Sequence, residues 1–169
     1  MSENVPLMKR AAALIARRSH SRGELRRKLA AAQNTDDTDE IETVLDRLEH
    51  LNLLNDAEYA YNFAFHRINE SGWGEEKVRK ALIDRDVAKA VADRALERVC
   101  DELAPEGMND ALMEYVESYC RKHGTPSTLK DAQKLARRLA GRGFGENQVV
   151  DALQRIISPE IFQHFGTGD

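Results

Sequence analysis

Val78–Arg79–Lys80–Ala81–Leu82, then Val87, then Ala95–Leu96–Glu97–Arg98–Val99, returns as Leu135–Ala136–Arg137–Arg138–Leu139, Phe144 and Ala152–Leu153–Gln154–Arg155–Ile156. Leu82 and Leu139 are 57 residues apart, as are Leu96 and Leu153, so the two copies align without a gap. A diverged third copy begins at Leu25–Arg26–Arg27–Lys28–Leu29 and resumes at Ile41, Val44, Leu45 and Leu48 after a longer, acidic connection. Recurrence of this kind marks stacked supersecondary units that bind through their surface, rather than a pocket built for chemistry.

Outward from these copies, every readable element is a helix. Leu7, Met8, Ala11, Ala12, Leu14 and Ile15 follow helical spacing, with Pro6 suited to a first turn. Ser21-x-x-Glu24 and Asp39-x-x-Glu42 have the form of capping boxes, and Asp56 is a candidate cap for a fourth helix. Ser71–Gly72–Trp73–Gly74 closes that helix, and Pro105–Glu106–Gly107 is expected to break the chain between a sixth and a seventh. Thr128-x-x-Asp131 opens an eighth; Gly143 stops it before a ninth. Ser158–Pro159 is expected to end the regular structure and leave a tail carrying Phe162 and Phe165. Nine helices fall into three sets of three. The expected organisation is a flexible start (1–6), repeats over 7–54, 55–104 and 108–157, and a tail over 158–169.

With 169 residues, 32% charged, 41% hydrophobic and 6% aromatic, and a mean hydropathy of −0.58, the composition is that of a soluble helical protein with a thin aromatic core. No apolar run approaches the roughly 18 residues of a membrane span. The amino terminus lacks a signal-peptide pattern, so a cytoplasmic protein is expected. Cys100 and Cys120 read as reduced, structural thiols. The net charge of −4 conceals segregation. Met8 to Leu29 is strongly basic, Asp36 to Glu58 acidic, and Arg121 to Arg142 basic again. Such a chain still offers basic faces to an acidic partner or to nucleic acid.

Catalytic motifs are missing. Gly141-x-Gly143-x-Gly145 follows a helix instead of a strand and lacks the Lys–Ser/Thr of a phosphate loop, so it reads as a helix stop. Cys120 and His123 are spaced like two metal ligands on a helix, but no second pair follows. The histidines at 20, 50, 66, 123 and 164 form no ligand set. No catalytic residue, metal or cofactor is expected.

Arg17–Arg18–Ser19–His20–Ser21–Arg22–Gly23–Glu24–Leu25–Arg26–Arg27–Lys28–Leu29 and Leu51–Asn52–Leu53–Leu54–Asn55–Asp56–Ala57–Glu58–Tyr59–Ala60 resemble the first and second signatures of the RecX family, bacterial regulators of the RecA recombinase. Gly72–Trp73–Gly74 with Val78, Leu82 and Val87 resembles its Gly-aromatic-Gly turn, and Leu139 to Phe144 its Arg-Gly-Phe element. The resemblance implies an all-α chain of three tandem three-helix repeats, elongated and curved. It implies a partner too: RecA and its filaments on single-stranded DNA, held in the filament groove with ATP hydrolysis and strand exchange restrained. Recombination, DNA repair and the SOS response would be the setting. Two positions depart from the family. Asp86 stands where Gly is more usual, so a tighter or less left-handed turn is expected. Asn55 stands where Asp is usual, and keeps the ability to cap.

Register adds a site hypothesis. Arg27, Lys80 and Arg137 share one position of the middle helix, opposite its apolar stripe, where they would form a basic ladder. Arg26, Lys28, Arg79 and Arg138 thicken it. Arg17, Arg18, Arg22 and Arg142 complete the candidate surface for RecA or DNA phosphate. Arg142 and its counterpart Arg85 would also serve helix ends. The rival functions are a sequence-independent, weak DNA-binding module and a helical scaffold for an unrelated protein. A monomer is the simplest expectation.

Overall fold

The structure, a computed structural model, describes residues 5–33 and 38–165, with backbone alone at 33, 38 and 104–109. Among the described residues it is all helix: α1 (Val5–Arg17), α2 (Arg22–Gln33), α3 (Thr38–His50), α4 (Asp56–Asn69), α5 (Glu75–Ile83), α6 (Lys89–His123), α7 (Leu129–Ala140), α8 (Glu146–Ile156) and α9 (Pro159–Phe165). The expected all-α class is what is found.

Two compact units divide the chain, one formed by Met1–Phe63 with Ala81–Ala95, the other by Ala64–Lys80 with Leu96–Asp169. Helices α4, α5 and α6 are each shared between them. The first unit packs Leu7 and Ala11 of α1, Leu25 and Leu29 of α2, and Ile41, Val44, Leu45 and Leu48 of α3 around Leu54. The second packs Leu112, Val116 and Tyr119 of α6 with Leu135 and Leu139 of α7, Phe144, and Val149 and Leu153 of α8.

Each unit contains the same junction, built from equivalent positions of the repeat. In the first, the Ser21 hydroxyl donates to the Arg85 carbonyl at 2.5 Å and accepts from the Glu24 amide at 3.1 Å. In the second, the Gly74 amide donates to the Arg142 carbonyl at 2.9 Å, and Glu76 N–H to Gly143 O at 3.3 Å. The start of one repeat's middle helix is thus tied to the turn that ends the next repeat's middle helix. This is why compactness ignores the repeat boundaries.

Several local expectations are corrected. Helix α6 runs through Pro105 without a break. An interior proline removes one backbone bond, here to the Asp101 carbonyl, at a cost of about 3 kcal/mol. Leu96 and Val99 before it and Leu112 and Val116 after it are buried and hold the helix on both sides. Regular structure also continues past Ser158. Pro159 takes the first position of α9, where a missing N–H is harmless, and Ile161, Phe162 and Phe165 pack against the second core. Asp86 keeps the left-handed turn, at φ 58°. Only half of the first capping box forms, since the Glu24 carboxylate turns to Arg18. Asn55, not Asp56, caps α4, accepting from the amides of Ala57 and Glu58 at 3.0 and 3.1 Å. Asp56 instead accepts from the Arg22 amide at 2.6 Å, at the start of α2.

Candidate partner-binding surface

The acidic helix α3 claims part of the basic helix α2. Glu42, Asp46 and Glu49 recur at helical spacing on one face of α3. All three meet the Arg22 guanidinium, at 2.7, 2.6 and 2.5 Å. Arg26 adds a fork to Glu42, with Nε at 2.5 Å and Nη2 at 2.9 Å. The hydrogen bond from Arg26, with the Arg22 bond added and burial opposing, holds the Glu42 carboxyl at about 2. Arg22 and Arg26 are therefore counterions of this chain's own acids. The spacing of 42, 46 and 49 was the available signal for this.

The register-matched cations differ from that pair. Arg27 is 55% exposed; its Nε lies 3.1 Å from Asp86 and its Nη2 donates to the Asp84 carbonyl at 3.4 Å. Lys80 and Arg137 are exposed, each on a helix face away from buried leucines or valine, Val78 and Leu82 or Leu135 and Leu139. Arg79 pairs with Glu76 one turn earlier. Arg138 is exposed and donates from Nε to the Tyr115 hydroxyl at 2.8 Å. Arg142 is fixed: Nη1 donates to the carbonyls of Ser71 and Gly72, both at 3.1 Å, and the guanidinium lies 3.9 Å from the Tyr115 ring centre. Burial works against the phenolate, but Arg138 and Arg142 bring the Tyr115 phenol below its ordinary range. Arg85, the counterpart of Arg142, likewise bonds a carbonyl, that of Ala81 at 2.6 Å, and lies over Phe63 at 4.8 Å. Trp73 is half-buried between the cations of Arg67 and Lys77, at 4.8 and 4.3 Å.

The remaining candidates gather at the end of α1. Leu14, Arg17, Arg18, His20 and Lys28 line a pocket of about 320 Å³. Arg17 is exposed, and Arg18 pairs with Glu24 at 2.5 Å. His20, only 4% exposed, donates from Nδ1 to the Arg18 carbonyl at 2.8 Å and accepts at Nε2 from the Lys28 ammonium at 2.9 Å. Burial above all, and the cations of Arg18 and Lys28, keep this imidazole below its ordinary 6.5. His20 and Leu14 were not candidates from sequence, because neither belongs to a charge pattern.

Among the described residues no group of three or more His, Cys, Asp or Glu could hold a metal ion, and no helix is long and apolar enough to cross a membrane. Cys100 and Cys120 are free thiols. Such a chain, made of small helical units with basic positions on its surface, is by class an all-α protein. The comparisons agree with that fold class and narrow it. The RecX family's second three-helix domain matches residues 55–96. A regulatory protein RecX of Pseudomonas putida is 40% identical over 91% of this chain and 90% of its own length. That of Pseudomonas tolaasii is 34% identical over 86% and 85%. The crystal structure of RecX from Lactobacillus salivarius superposes with a TM-score of 0.76 over 89% of this chain and 94% of that one, at 18% identity. The chain belongs to the RecX family.

Proposed function

We propose that this chain is a non-enzymatic regulator that binds RecA, including RecA filaments on single-stranded DNA, and lowers RecA's ATP hydrolysis and strand exchange. Membership of the RecX family along nearly the whole chain carries this proposal, since its relatives are named as regulatory proteins. The partner, the filament groove and the cytoplasmic setting in recombination and repair follow from the family resemblance. The repeats at 7–54, 55–104 and 108–157 are the units that present the contact surface. Arg27, Lys80 and Arg137 are its proposed repeating element, because each is exposed at the same register of its helix. A spiral filament repeats its acidic surface, and a partner with a repeating cation suits it.

The test is single-stranded-DNA-dependent ATP hydrolysis by RecA of the same organism, with this chain titrated in below stoichiometry. Inhibition by the wild-type chain is expected, with loss of inhibition in the triple variant Arg27→Glu, Lys80→Glu, Arg137→Glu at unchanged helicity. Because Arg27 faces Asp86, a second variant with only Lys80→Glu and Arg137→Glu separates lost contact from local repulsion. No effect of the wild-type chain on hydrolysis would sink the regulatory proposal; full inhibition by both variants would sink the ladder.

A further inference from the structure

Three leucines follow α3, at positions 51, 53 and 54, and the core of the first unit uses only one of them. Leu54 is 4% exposed, whereas Leu51 and Leu53 are 47% and 52% exposed. We infer that Leu51 and Leu53 form an apolar knob that inserts into a socket on RecA bordered by basic side chains. This inference rests on the RecA partnership proposed above. The turn that carries the knob is fixed. Leu53 N–H donates to the Leu48 carbonyl at 2.9 Å, and Asn52 N–H to the Glu49 carbonyl at 2.9 Å. These two bonds close the helix end around a left-handed residue, Asn52 at φ 54°. In that closure the residue at 53 ordinarily packs on the residue at 48. Here Leu48 shares the core with Leu54 instead, and Leu53 is left in solvent. Polar residues at 51 and 53 would close the helix equally well, so the fold accounts for neither leucine.

Charge and area choose the occupant. From Leu48 to Ala60 the chain carries Glu49, Asp56 and Glu58 and no lysine or arginine, and Glu58 is exposed. Such a border repels nucleic-acid phosphate and matches a protein socket with basic edges. Two half-exposed leucines are a small fraction of the roughly 800 Å² that each side of a stable interface buries. Two copies of this chain joined by the turn alone would therefore not hold together. Within a larger interface the leucines serve as its apolar anchor, seated in a pocket of the partner. The rigid turn strengthens the contact, because no loop has to be ordered on docking.

The experiment is biolayer interferometry of RecA from the same organism on the immobilised full chain, at about 50 and about 200 mM salt. The double variant Leu51→Ser, Leu53→Ser should bind RecA about tenfold more weakly, since each leucine has about half of its surface to bury. That ratio should be the same at both salt concentrations, because the lost contact is apolar. Leu51→Met, Leu53→Met keeps an apolar knob and should bind within about twofold of wild type. Glu58→Lys keeps both leucines and should weaken binding by about threefold, most clearly at low salt. All of these alter exposed side chains, so helicity and urea unfolding should match wild type. If the wild-type chain does not bind RecA, the partnership fails and the knob fails with it. If it binds and the serine variant binds equally well, the knob alone fails. A loss that fades as salt rises would overturn the apolar contact. An equal loss in Val5→Ser, which is 44% exposed but outside the turn, would replace the knob with general stickiness. Sedimentation in which the wild-type chain dimerises alone and the serine variant does not would assign the leucines to a second copy instead.

Discussion

Asp86 holds a left-handed backbone that costs a residue with a Cβ about 1 kcal/mol, and two neighbours explain how it is tolerated. Its carboxylate reaches Arg27 at 3.1 Å, and its Cβ occupies the space beside Gly23. A Cβ built at Gly23 would lie 2.1 Å from the Cβ of Asp86. The sequence announced an unusual residue at 86 but not its solution, because the compensation comes from a glycine 63 residues earlier. Gly23→Ala should therefore cost about 2 kcal/mol of stability by overpacking. In an Asp86→Gly background the same change should cost well under half of that, since the obstructing atom is gone. Urea unfolding of the four proteins of this cycle measures the coupling. Equal costs in both backgrounds would mean that the two residues do not share this space.

At the scale of elements, charge segregation was legible and its destination was not. A basic α2 followed by an acidic α3 looks, as a string, like two surfaces for two partners. In the fold the two helices pack, and Arg22 and Arg26 spend their charge on Glu42, Asp46 and Glu49. Helical spacing of the acids showed that they share a face, but only packing shows what that face meets. The pairing has a pH signature. Glu42 stands at about 2 in the fold against an ordinary 4.5, so its stabilisation is complete above pH 4.5 and declines as pH falls toward 2. Glu42→Gln should cost about 1 kcal/mol at pH 7, a modest value because the groups are partly solvent-screened. The gap between wild type and variant in denaturant melts should narrow from pH 4.5 to pH 3. A gap that stays constant over that range would show that Glu42 stabilises by packing rather than by charge. Helix ends were harder to read than helix interiors. Pro105 and Ser158–Pro159 are local stop signals, and both were overridden by apolar residues beyond them, buried after Pro105 and partly buried after Pro159.

Across the whole molecule, the constant offset of 57 residues identified the repeating unit and its buried positions, because apolar periodicity is a local property. Leu25, Val78 and Leu135 are all fully buried, as their shared register implied. What periodicity could not carry is the division into compact units, which depends on backbone approaches between distant segments. Glycine marks one such approach. A Cβ at Gly143 would lie 2.4 Å from the backbone nitrogen of Lys77, and its φ is 87°. Gly124 has nearly the same φ, 83°, but nothing within 4 Å of its Cβ position. The two glycines separate conformational cost from close approach. Gly124→Ala should cost about 1 kcal/mol, the left-handed penalty alone. Gly143→Ala should cost about 3 kcal/mol, because the Gly143–Glu76 and Arg142–Gly74 bonds must stretch to admit a methyl group. Chemical denaturation of both variants decides it. If Gly143→Ala costs no more than Gly124→Ala, the junction is loosely packed, and the recurring turn does not hold its compact unit together.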